Sequence, residues 1–226
     1  MKMDNASELH HLPLRFERLE KVEMKNRANA FYEQMNKRRS VRFFSEEPVP
    51  KYLIERAILT AGTSPSGAHR QPWHFVAISD PERKRQLRQA VEAEEKRSYE
   101  ERMPPAWLEA LAPIGTTWEK PFIETAPWIV VCFEELYSFD EDGHKCKNYY
   151  VQESCGIACG MFIAAIHTMG LVTLTHTPSP MGFLSSLLQR PINEKPFMLF
   201  PVGFPSLHAS VPNLSRKPLA KISTWL

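Results

Sequence analysis

The chain has 226 residues, 43% of them hydrophobic, and its 28 basic and 26 acidic side chains leave a formal net charge of +2. That size supports one substantial core, and the near balance of charge leaves no general field to attract a nucleic-acid backbone. The longest apolar stretch, residues 156–166, is shorter than the roughly 20 residues a bilayer span needs, and no signal-peptide pattern opens the chain. A soluble, cytoplasmic protein with no nucleic-acid or membrane partner is expected.

Residues 16–38 alternate charged and apolar positions at helical spacing, which predicts a peripheral amphipathic helix within an N-terminal helical extension over 1–36. The stretch KRRSVRFFSEEPVP, residues 37–50, then packs Lys37, Arg38, Arg39 and Arg42 together. Glu46 and Glu47 cannot satisfy all of them, and guanidinium forks match phosphate oxygens. The cluster is either a phosphate grip, with the Ser40 hydroxyl as a further donor, or a solvated chain end.

Pro50 opens a helix that presents Leu53, Ile54, Ala57 and Ile58 on one face and stops near Gly62. The turn-rich SPSGAHRQPW, residues 64–73, offers small residues and backbone donors to a flat ligand. A strand over 74–79 leads into a strongly charged helix over 81–103, whose few apolar residues predict a poor core element. Residues 127–135 read as a buried strand, 149–170 as a long apolar helix, and 171–178 and 195–204 as two more strands. No repeat or linker divides the chain, so the pattern predicts one α+β layered domain with the apolar helix at its centre or at a dimer contact.

Cys132, Cys146, Cys155 and Cys159 lack CxxC spacing, and no metal site is expected from them. Arg216 and Lys217 add cations from a remote part of the chain. A split cation set of this kind suits a phosphorylated cofactor better than a P-loop, whose glycine-lysine signature is absent.

Taken together and in order, RRSVR (38–42), TSPSGAHRQPW (63–73), EEKRSYEERM (94–103), TTWEK (116–120), TLTHTP (173–178) and PNLSRKPL (212–219) resemble the iodotyrosine deiodinase family, a branch of the flavin-dependent nitroreductase superfamily. The resemblance implies a nitroreductase-like α+β fold, with a central mostly antiparallel sheet flanked by helices, in an intertwined homodimer with FMN at the interface. It implies an FMN-binding domain over 37–226 with a lid at about 90–122. The implied reaction is reductive removal of iodide from mono- and diiodotyrosine and related halotyrosines, with electrons from NADPH directly or through a separate reductase.

Carried onto this sequence, the resemblance assigns Arg38, Arg39, Ser40, Arg42 and Arg216 to FMN, with Pro65, Ser66 and Gly67 lining the flavin. Thr175, His176 and Thr177 lie beside it, and the Thr177 hydroxyl would hydrogen-bond flavin N5 and favour one-electron steps. Glu95 would meet the substrate ammonium, Tyr99 and Lys120 its carboxylate, and the Ala68 backbone N–H its phenolate oxygen. His176 stands where some relatives carry threonine, and Ser64 replaces a small apolar residue. Two other readings use the same residues differently: an NAD(P)H-dependent nitroreductase or quinone reductase of this fold, and a flavin- or halotyrosine-binding protein without turnover.

Overall fold

A computed structural model describes residues 11–226. Contacts group the chain into a unit ending at Lys37 and a unit from Arg38 to Leu226. In the first, helix α1 (Lys21–Lys37) has no buried residue and exposes Val22, Met24, Phe31 and Tyr32. An Arg27–Glu23 pair at 2.6 Å, one turn apart, supports it on the surface. Residues 1–10 of the expected N-terminal extension lie outside the described residues.

The second unit contains strands β1 (Trp73–Ile78), β2 (Trp128–Glu135), β3 (Tyr137–Phe139), β4 (Lys145–Lys147), β5 (Val172–Thr173) and β6 (Glu194–Gly203). Antiparallel pairing orders four of them β1-β2-β6-β5, while β3 and β4 form a separate hairpin. The helices are α2 (Lys51–Gly62), α3 (Pro81–Arg97), α4 (Pro105–Leu111), α5 (Phe122–Thr125), α6 (Val151–Thr168) and α7 (Phe183–Leu187).

Strand β2 explains the layering. Its side chains alternate, so Val130 and Cys132 enter the cluster that holds Ala57, Ala158 and Phe162 of α2 and α6. Ile129, Val131 and Phe133 enter the other, with Leu87 and Val91 of α3 and Leu184 of α7. Each fully buried branched or aromatic side chain here contributes about 1.5–3 kcal/mol of transfer free energy. The sheet is therefore covered on both faces.

Helix α6 buries Cys155, Ala158, Cys159, Phe162 and Ile166 and leaves Gly156, Ile157, Gly160 and Met161 exposed. Cys132, Cys155 and Cys159 are buried free thiols. Their mutual contact, followed by burial, pushes the Cys132 thiol up and keeps it unreactive.

Two expectations are corrected. The charged helix belongs to the core: Leu87 and Val91, four residues apart, are fully buried, together with Lys84 and Glu95. Charge density hid this because Lys84 is absorbed by two carbonyls of the short α5 turn, Glu124 and Ala126, each 2.8 Å from its Nζ. The strand expected over 171–178 pairs only at Val172–Thr173. Beyond it the chain keeps one antiparallel bridge, His176 to Leu199.

Candidate active site

The basic segment is fixed at the sheet edge. Ser40 bridges Thr173 of β5 in parallel, the Val41 N–H donates to the Thr173 carbonyl at 3.2 Å, and Ser45 N–H donates to Phe204 O at 2.9 Å. Arg38, Arg39, Ser40 and Arg42 then line one cleft of about 220 Å³ together with Pro212 and Arg216. Arg39 donates to the Pro212 carbonyl, and Arg216 donates to the Arg38 carbonyl at 2.6 Å, which locks the C-terminal segment onto the cluster.

No carboxylate lines that cleft among the described residues. Burial first, and then the neighbouring Arg216 and Arg39 cations, push the Arg38 guanidinium below its usual range. Converging cations that oppose one another's charge are stabilised when an anion arrives. The donor set fits a phosphate monoester.

A second cavity of about 220 Å³ is lined by Glu95 of α3, Tyr99, Trp107 of α4, Lys120, and Thr175 to Thr177. The chain reaches it because α3 loosens after Arg97 into a π-type turn, Ser98–Arg102, closed by Met103 N–H to Ser98 O at 2.8 Å. Ser98 Oγ donates to the Ser179 carbonyl at 2.7 Å, tying that turn to the segment after Thr177. Arg42 lines both cavities and also a third cleft of about 450 Å³, which shares Ser40 and Pro212 with the first and Thr116 and Phe122 with the second. Arginine cleft and polar cavity thus adjoin at Arg42.

Within the polar cavity, Lys120 Nζ lies 3.5 Å from Glu95 Oε2, and both side chains are under 10% exposed. Lys120 also donates to Thr116 Oγ1 at 3.3 Å and to the Thr117 carbonyl, and its ammonium sits 5.4 Å from the Tyr99 ring centroid. Tyr99 OH donates to Thr116 O at 3.3 Å. Burial raises the Glu95 carboxyl and lowers the Lys120 ammonium from their ordinary values, each effect opposed by the other partner's charge. Burial likewise raises the Tyr99 phenol.

Burial alternates along 174–178, with Leu174, His176 and Pro178 inside and Thr175 and Thr177 exposed. His176 Nε2 therefore points inward, 3.7 Å from Glu95 Oε1, while its ring meets Phe122 edge-on at 5.7 Å. Burial, then Lys120 and Arg42, lower its pKa from 6.5 to about 3, so the imidazole is neutral and this contact is not an ion pair.

The sign of the linkage follows. Between pH 6.5 and about 3 the unfolded chain takes up a proton at His176 that the folded chain refuses, so the stability from this group is lost as pH falls through that window. Urea unfolding is expected to show wild type losing about 2 kcal/mol more than His176→Phe between pH 7 and pH 4.5. Equal losses would mean that the imidazole titrates normally.

Pro65, Ser66, Gly67 and Ala68 line none of the three clefts. They form a surface loop at the start of α6, where the Gly67 N–H meets Ser154 Oγ at 3.4 Å. A Cβ at Gly67 would fall 2.8 Å from the Tyr149 carbonyl oxygen, so only glycine fits without displacement. Ala68, His69 and Gln71 carry positive φ values of 49°, 54° and 48°, a conformation that costs on the order of 1 kcal/mol per residue.

Met103, Trp107 and Phe122 line the second cavity without having been expected there. The spacing of Trp107 and Leu111, one helical turn apart in a short proline-led segment, carried the signal. Among the described residues no cluster of His, Cys, Asp or Glu could hold a metal ion.

The Nitroreductase family model matches residues 35–204. A BluB-like flavoprotein from Clostridium difficile 630 shares the fold at a TM-score of 0.66 over 86% of this chain and 98% of its own, with 18% identity. A structure of oxidized iodotyrosine deiodinase bound to FMN and 3-iodo-L-tyrosine aligns at a TM-score of 0.75 and 27% identity, over 86% of this chain and all of that one. An iodotyrosine deiodinase from Haliscomenobacter hydrossis is 53% identical over 93% of this chain and 95% of its own length. The Homo sapiens iodotyrosine deiodinase 1 is 44% identical over 97% of this chain and 76% of its length. The chain belongs to the nitroreductase family and, within it, to the iodotyrosine deiodinases.

Proposed function

We propose that this protein is an FMN-dependent reductive dehalogenase that removes iodide from mono- and diiodotyrosine, and from other halotyrosines, to give tyrosine. The observation that carries the proposal is the buried Glu95–Lys120 pair beside Tyr99, in a cavity that shares Arg42 with an arginine cleft that no acid lines. Relatives bearing the deiodinase name at 44–53% identity support it.

In this reading Arg38, Arg39, Ser40, Arg42 and Arg216 hold the FMN phosphate and ring edge. When bound, FMN supplies two electrons to the carbon–iodine bond, which with one proton yields tyrosine and iodide. Thr175 and Thr177 border the cofactor site with exposed side chains, His176 between them turns inward to Glu95, and the Thr177 hydroxyl would hydrogen-bond flavin N5.

Residues 90–122 act as a lid over the substrate. Glu95 accepts hydrogen bonds from the amino-acid ammonium, and Tyr99 and Lys120 donate to its carboxylate. The Glu95–Lys120 pair opens to admit a zwitterion, so two charges of each sign are buried together without net charge.

Pro65, Ser66, Gly67 and the Ala68 N–H complete the site from a second copy of the chain, with Ala68 donating to the substrate phenolate. An intertwined homodimer accounts for these four residues lining none of the three clefts described above. The exposed α6 face, with Ile157 and Met161, supplies apolar surface for it. Electrons come from NADPH, directly or through a separate reductase. Free thiols at all four cysteines suit a reducing cytoplasm. No helix of the described residues is long and apolar enough to cross a membrane.

Flavin fluorescence of the FMN-loaded protein tests the reading. Saturable quenching by 3-iodotyrosine, but not by tyrosine, is expected. Because the ligand binds as phenolate, affinity falls about tenfold per pH unit below the ligand's phenol pKa. Quenching by both ligands alike, or affinity flat across that range, would contradict it.

A further inference from the structure

His176 Nε2 is one of the buried side-chain polar atoms without a hydrogen-bond partner in this protein, and it belongs to the imidazole that faces Glu95. Buried polar groups almost always find partners, so an orphan inside a binding cavity marks a bond completed in another state. Glu95 Oε1 lies 3.7 Å from it, a few tenths of an ångström beyond a hydrogen bond. The opposite oxygen, Oε2, faces Lys120 Nζ at 3.5 Å.

We propose that His176 is a positioning residue for amino-acid recognition: its neutral imidazole donates from Nε2 to Glu95 Oε1 and holds the carboxylate toward the substrate ammonium when Lys120 turns to the substrate carboxylate. The inference rests on the deiodinase reading and assigns its specificity to one further side chain.

Two features of the geometry support it. First, a zwitterionic ligand competes for Lys120, and that competition removes the partner that now orients Glu95; the imidazole remains as a donor on the other oxygen. Second, the charged and titratable groups around the ring are Glu95 from α3, Tyr99 from the π-type turn, Lys120 ahead of α5, and Arg42 from the basic segment. Burial first, and then the Lys120 and Arg42 cations, keep the imidazole uncharged. A neutral donor steadies the carboxylate without cancelling the charge that attracts the ammonium, whereas an imidazolium would repel it.

FMN-loaded wild type, His176→Phe and His176→Gln are titrated by flavin fluorescence with 3-iodotyrosine and with 2-iodophenol, which lacks the amino-acid end, from pH 6 to pH 9. His176→Phe keeps a ring but no donor, and His176→Gln restores a neutral N–H near the Nε2 position. The expected result is about a tenfold loss of 3-iodotyrosine affinity in His176→Phe, the size of one hydrogen bond, with 2-iodophenol changed less than about twofold. His176→Gln recovers most of the loss.

The ratio of the two affinities compares recognition of the amino-acid end with recognition of the phenol alone. Parallel loss of both ligands, an unchanged ratio in His176→Phe, or no recovery in His176→Gln would overturn the proposal. If His176→Phe fails to fold, His176→Leu carries the same expectation. A wild type that does not bind 3-iodotyrosine overturns the deiodinase reading and this inference with it, while normal wild-type binding with indifferent variants overturns this inference alone.

Discussion

The double variant Arg38→Ala, Arg216→Ala is expected to purify largely without flavin and to bind added FMN at least 100-fold more weakly than wild type. Each guanidinium–phosphate contact is a charge-assisted hydrogen bond worth about 1.5–3 kcal/mol, and losing two gives roughly 3–6 kcal/mol. Folding is expected to survive, because the Arg38 backbone carbonyl and its chain direction are fixed by the neighbouring Ser40–Thr173 bridge rather than by the Arg38 side chain. Relief of the repulsion between Arg38 and its neighbours Arg216 and Arg39 offsets part of the lost Arg216 contact. Equilibrium dialysis with FMN and a far-ultraviolet spectrum separate the two effects. Wild-type FMN affinity in the folded double variant would place the cofactor phosphate elsewhere.

Glu95→Gln is the second large effect. The change keeps the shape of the side chain and removes the charge opposite Lys120, leaving that buried ammonium unpaired in the free protein and the ligand ammonium unpaired in the complex. Breaking a buried pair on one side costs about 3–5 kcal/mol, so 3-iodotyrosine affinity is expected to fall about 100-fold or more. Reduction of a nitroaromatic lacking an ammonium should change far less. That contrast separates a halotyrosine enzyme from a general nitroreductase with the same flavin site, and equal effects on both substrates would favour the general enzyme.

How much of this was legible in the sequence depends on the distance over which each feature is encoded. The strand Trp128–Glu135 and the helix Val151–Thr168 show in local apolar patterning, since each buries side chains at its own periodicity. The π-type turn at Ser98–Arg102 and the neutral imidazole of His176 do not, because both are set by packing against segments far along the chain. Helix α3 misled for a related reason: its buried Lys84 and Glu95 read as solvent-facing charge until their partners from residues 120–126 are in place.

The arginine cluster was visible as an unsatisfied group of cations, Arg216 was joined to it through family resemblance, and the fold brings them to one cleft. Glu95 and Tyr99 share a helix face by spacing alone. Lys120 joins them through tertiary structure, and its role entered through family resemblance. The loop from Pro65 to Ala68 shows the other side of this: its glycine and positive φ values are explained locally, while the ligand contacts assigned to it came from family resemblance alone.

The central claim is turnover, and it is tested most directly by anaerobic reduction of the FMN-loaded protein with dithionite followed by addition of 3-iodotyrosine. Each oxidised flavin should be matched by one tyrosine and one iodide, since the two electrons and one proton delivered account for a single carbon–iodine cleavage. Flavin that stays reduced, or that reoxidises without releasing iodide, would contradict the account.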